Sequence, residues 1–153
     1  MSDLDKILWT SATTILVGLI IFLITQIFQR FILDPLQGIH LLFGEIEDAL
    51  VFYANIYLDP GVDESELADE GQIKLRRLAS QLSSKASIIW PYELLASLNF
   101  IPSHENIKIA HGDLIGLSNS IHLGSGESGT TQAVRNNNMR KEIRKTLGID
   151  SLD

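Results

Sequence analysis

The chain has no cysteine, so neither a disulfide framework nor thiol chemistry is open to it. Sustained alternation of apolar and polar residues is also missing, which argues against half-buried strands and leaves helical spacing as the periodic signal. Positive charge is in the minority. Twelve Lys and Arg against 19 Asp and Glu give a formal net charge of -7, a balance that opposes nonspecific binding to nucleic acid or anionic lipid by the protein as a whole. The most informative absence is local: from Ile7 to Phe28 no side chain is ionisable. Those about 22 positions, at ~1.5 Å per residue, suffice to cross a hydrocarbon core of ~30 Å.

That run predicts a transmembrane helix, with residues 1–30 forming an N-terminal anchor. The flank Met1 to Lys6 lacks the basic region of a secretory signal and no small-residue cleavage site follows, so the segment is expected to persist as a signal anchor of a single-pass protein. Trp9 stands near one end, where interfacial aromatics gather. Lys6 and Arg30 leave the positive-inside rule tied. The lack of cysteine and the short N-terminal flank favour the expectation of a C-terminal domain on the cytoplasmic side of the cell membrane. Within the run, Ser11, Thr14, Gly18 and Thr25 recur at three-, four- and seven-residue steps, a stripe on which two spans could pack. The competing use of such hydroxyls is bonding back to their own helix carbonyls.

Beyond the anchor, Asp34-Pro35-Leu36-Gln37 reads as a capping box with proline at the first helical position, so a new helix is expected to begin there. Its inward stripe is Ile39, Leu42, Phe43, Ile46, Ala49, Leu50, Tyr53 and Tyr57, and Asp59-Pro60-Gly61 should end it. Leu41 and Phe52 fall on the opposite face and mark a second contact, either within the domain or between subunits. A second helix is expected from near Ser65 or Asp69 to Ile89, with Leu75, Leu78, Leu82 and Ala86 inward, then a short one from Tyr92 to Leu98. Pro102-Ser103 should open another, with Ile107, Ala110, Leu114, Leu117 and Ile121 inward. Residues 34–123 thus read as a small helical bundle, and the fold as all-α.

From Gly124 to Asn138 the string GSGESGTTQAVRNNN reads as a flexible linker, and residues 139–153 as a basic C-terminal helix or tail. Arg140, Lys141, Arg144 and Lys145 are candidates to meet the acidic tract Asp59 to Glu70, in the same or a neighbouring subunit, or an anionic lipid surface.

No catalytic, cofactor or metal site is expected. Gly124-Ser-Gly126-Glu-Ser-Gly129 has phosphate-loop glycine spacing but no lysine, follows a helix rather than a strand, and carries Glu127, which repels phosphate. His111-Gly112-Asp113-Leu114 resembles the catalytic loop of aminoglycoside phosphotransferase-like kinases over four residues, yet Ser118 occupies the place of the magnesium-binding asparagine. His104, His111 and His122 lie near one side of a helix, but the first two are two turns apart, ~10.5 Å, with Lys108 between them. An enzyme would need Tyr53, Asn55, Arg76 or His111 to converge in a pocket.

Phe52-Tyr-Ala-Asn-Ile-Tyr57, Leu75-Arg-Arg-Leu-Ala-Ser-Gln-Leu82, Ile101-Pro-Ser103 and Leu114-Ile-Gly-Leu-Ser-Asn-Ser120, with the Asp34 to Gln37 string, carry a further likeness. Over Phe31 to Ile121 the chain resembles an uncharacterised family of small single-pass bacterial membrane proteins with a C-terminal helical domain. The resemblance implies architecture and brings no activity, cofactor or site residue. The resulting expectation is a noncatalytic, membrane-anchored helical protein that forms homo-oligomers or recruits a protein partner, without binding nucleic acid. The alternative is an oligomeric effector whose soluble domain controls a membrane-perturbing bundle of spans.

Overall fold

A computed structural model describes residues 2–58, 66–122 and 129–149, and every regular element within them is helical, in agreement with an all-α fold. Helix α1 covers Asp3–Phe28. Ser2 caps it reciprocally: its Oγ accepts from the Asp5 N–H at 3.3 Å, and the Asp5 carboxylate accepts from the Ser2 N–H at 2.9 Å. Asp3 and Asp5 also place negative charge at the positive end of the helix dipole. None of the α1 side chains is buried. Among the described residues one helix is long and apolar enough to cross a membrane, and it runs from Asp3 to Phe52.

That length corrects the expected break at Asp34. The backbone stays right-handed helical at Phe28, Leu33 and Asp34, and no side-chain cap opens the next helix. A π-helical turn, Gln29–Leu33, joins α1 to α2 (Asp34–Phe52), closed by the Asp34 N–H donating to the Gln29 carbonyl. Pro35 supplies the physical reason. In a regular α-helix its ring would press on the carbonyl four residues back, and it has no N–H to donate; one widened turn relieves the crowding while the helix continues.

The inward face of α2 is the expected one, with Ile39, Leu42, Phe43, Ile46, Ala49 and Leu50 buried. After a turn at Tyr53 a short α3 follows, Ala54–Leu58, and the expected stop at Asp59-Pro60-Gly61 lies outside the described residues. Helix α4, Glu66–Ser87, returns antiparallel to α2. Tyr53 meets Glu70, Glu45 lies 4.0 Å from Lys74, and the Lys85 ammonium sits beside Gly38. Gly71 allows the close approach of α2 and α4, since a Cβ there would stand 2.9 Å from the Tyr53 ring.

Helix α5, Tyr92–Ser97, occupies the connection to α6, His104–Ser120, and the Trp90-Pro91 bond before it is cis. Ser103 caps α6 by accepting from the Asn106 N–H at 3.2 Å. Helix α6 runs back along α4, with His111 against Ala79 and Arg76 against Asn119. Helix α7, Gly129–Leu147, packs on α6 and reaches α3 and α2. The four long helices α2, α4, α6 and α7 thus form an up-down-up-down bundle. The end where α1 enters is the proximal end, and the end at Tyr53, Glu70 and His122 the distal one.

Helix α7 corrects the expected linker. Residues 129–138 are helical, not a flexible connection, and residues 139–147 continue that helix into the bundle instead of standing apart as a tail. Residues 124–128 of the expected linker, and 150–153 of the expected tail, lie outside the described residues. Gln132 and Asn136 are buried and extend the stripe Met139, Ile143, Leu147 by helical steps. Their burial is tolerable because the amides are bonded. Gln132 Nε2 donates to Asn136 Oδ1 at 3.0 Å, and Asn136 Nδ2 donates to the Tyr57 carbonyl.

Candidate functional site

The outer face of α2 presents the first candidate. Leu41 and Phe52 are 11 residues apart, just over three turns, so they share one side of the helix about 16 Å from each other. They are 63% and 62% exposed, with the carboxylates of Glu45 and Asp48 exposed in the same stretch of helix. Most of each side chain is left uncovered by the described residues. Behind them the Phe52 ring meets Tyr53 edge-on, centroids 4.9 Å apart, and the Tyr53 hydroxyl donates to Glu70 at 3.1 Å. Burial first, then the Glu70 carboxylate, pushes the Tyr53 phenol above its ordinary range.

The four basic residues of α7 do not form one patch, because docking of the helix divides them by register. Arg140 and Arg144, four residues apart, turn toward α2 and α3. The Arg144 guanidinium lies 3.2 Å from Glu47, and these side chains are only 14% and 20% exposed. Arg140 is half-buried near Tyr57. Burial pushes the Tyr57 phenol up to about 12, with Arg140 and Arg144 drawing it down and Glu47 raising it. Lys141 and Lys145 are exposed, and Lys145 borders a hollow of about 440 Å³ at the proximal end with His40, Phe43, Phe100 and Ile149.

The described part of the acidic tract is engaged elsewhere: Asp69 is 3.0 Å from His122, and Glu70 accepts from Tyr53. Residues 59–65 of that tract lie outside the described residues. Along α1, Thr14 and Thr25 donate to the carbonyls of Thr10 and Ile21, both at 2.8 Å, the competing use of hydroxyls in an apolar helix. Ser11 is exposed, and a Cβ at Gly18 would meet nothing within 4 Å.

Tyr53, Arg76 and His111 are each tied to a different neighbour, namely Glu70, Asn119 at 2.6 Å and the Ala79 carbonyl at 2.9 Å, while Asn55 is exposed. His104 stacks on Tyr92, ring centroids 3.7 Å apart. Among the described residues no three His, Asp or Glu side chains gather closely enough to hold a metal ion. The Asp113 carboxyl is raised by burial and then by Glu142, as suits a half-buried acid on a packed helix. Sequence reasoning missed the part-buried or buried polar groups Glu47, Gln132 and Asn136, and gave Arg144 other partners than Glu47. The signal for the two amides was the four- and three-residue spacing Gln132, Asn136, Met139, Ile143, with amides standing where apolar residues are usually sought.

Comparisons of the chain with protein-family models, with curated proteins and with solved structures find no match.

Proposed function

We propose that the protein is a noncatalytic, single-pass membrane-anchored module that oligomerises or recruits a protein partner, with its helical domain on the cytoplasmic side. The observation that carries this reading is the open face of α2. Leu41 and Phe52 stay exposed on the helix that also forms the core, so anything docking there is rigidly connected to the apolar segment α1. The test is crosslinking and mass measurement of the full chain in nanodiscs, together with pull-down from the membrane fraction. Wild type is expected to self-associate or to retain a partner, and Leu41→Asp with Phe52→Asp to lose that association while keeping its helical content. A chain that is monomeric and partnerless in both forms rules the reading out.

The continuity of α1 and α2 favours a second reading, in which assembly of the domains reorganises a bundle of spans and perturbs the membrane. Inducible expression should then depolarise cells, and Gly18→Leu, which fills the small-residue stripe, should suppress the effect. An unchanged membrane potential on expression removes this reading.

A further inference from the structure

The connection between α4 and α6 is apolar on two sides. Ile89, Tyr92, Leu95 and Ile101 are buried in the domain. Ile88, Trp90, Leu94, Leu98 and Phe100 nevertheless point to solvent, Trp90 being 70% exposed. From Ile88 to Phe100 the one formal charge is Glu93. A short surface connection normally turns polar residues outward, and five large apolar side chains within 13 positions are not the scattered exposure seen on any protein surface.

The position of this segment says what covers it. The Lys85 ammonium lies beside Gly38, and His40 Nε2 donates to the Phe100 carbonyl at 2.9 Å, so both ends of the segment are level with the first turns of α2. This is the proximal end, from which α1 emerges. Gly38 is ten residues past Phe28, about 15 Å along the axis, and the chain runs on from Lys85 toward α1 before reaching Trp90. Each polar interface of a bilayer adds several ångströms beyond the hydrocarbon. Of the exposed acids, Glu66, Asp69 and Glu70 stand at the distal end, and Asp34, Glu93 and Glu105 at the proximal one.

We propose that Ile88 to Phe100 is a second membrane contact, an interfacial wedge that lies in the headgroup region of the same bilayer α1 crosses and sets the tilt of the domain against it. Trp90 and Phe100 suit that layer, where aromatic rings are favoured, and Leu94 and Leu98 supply the apolar face of a short in-plane helix. This rests on the reading of α1 as a membrane span.

The two tryptophans, Trp9 and Trp90, allow both readings to be tested separately. The full chain is placed in phosphatidylcholine nanodiscs as Trp9→Phe, which leaves Trp90 as the sole tryptophan, and as Trp90→Phe, which leaves Trp9. Trp90 is expected to lose roughly half or more of its emission to lipids brominated about 5–10 Å below the headgroup boundary, relative to the unbrominated lipid. Emission unaffected by bromine and accessible to acrylamide overturns the wedge, as does shielding from both quenchers, which would mean that protein covers the segment. Bromine quenching of Trp9 without quenching of Trp90 leaves the span standing and overturns the wedge alone. Absence of quenching at Trp9 removes both.

Discussion

At the scale of single residues the polar layer under α7 makes the sharpest predictions. Asn136 donates to the Tyr57 carbonyl and accepts from Gln132, so Asn136→Ala leaves two buried groups unpaired and should cost about 1–3 kcal/mol in denaturant unfolding. Exposed Asn138→Ala should change stability by less than about 0.5 kcal/mol. Tyr57 adds a pH dependence. Its phenol ionises near 10.0 when unfolded and at about 12 in the bundle, so its contribution is complete below pH 10.0 and is lost as pH rises toward 12. Tyr57→Phe, which forfeits the bond to the Leu50 carbonyl, should be about 1 kcal/mol less stable at neutral pH and show a shallower decline through that alkaline window in circular dichroism. Leu41 and Phe52 were legible as outward residues because they fall off a clear apolar stripe. Asn136 was not: an amide enters a core only when its partners are in place, and while Gln132 is four residues away, the carbonyl it donates to lies 79 residues away at Tyr57.

At the scale of elements, helices whose burial follows an apolar stripe stand where their spacing placed them, with α4 and α6 beginning and ending within a few residues of expectation. Apart from the turn at Tyr53 that splits α3 from α2, two departures share a cause, since local signals were overruled by packing. Asp34-Pro35 carries every mark of a helix start, yet the cost of one widened turn is less than that of breaking a helix already committed on both sides. Residues 129–138 carry linker composition, but Asn136 bonds to the Tyr57 carbonyl in α3 and to Gln132 within α7, and the segment folds. Val134 is exposed in the middle of this stretch, so proline there removes backbone hydrogen bonds without removing a core side chain. Val134→Pro should therefore destabilise the protein by about 3 kcal/mol or more, with amide exchange rising first in residues 129–138. A flexible linker would absorb the same change with no effect on stability.

At the scale of the whole molecule, one rod from Asp3 to Phe52 serves both as the apolar segment and as a wall of the bundle. Sequence alone indicated both halves but placed a joint between them at Asp34, because capping signals report local preference and are blind to what lies beyond. A π-turn inside a rod is equivalent to one inserted residue, and an insertion shifts rotational phase. The turn at Gln29–Leu33 therefore decides which face of α1 lines up with the open face of α2, like the angular setting of two gears on one shaft. Pro35→Ala, which removes the ring that the widened turn accommodates, should restore plain α-helical winding at unchanged length and rotate α1 by about 100° against the bundle. In the proposed assembly, single-cysteine crosslinking along α1 would then shift to a new face while the bundle keeps its stability. The apolar helix and the bundle are in that sense timed to each other, and loss of the widened turn between them would reset the timing with every contact in the bundle intact.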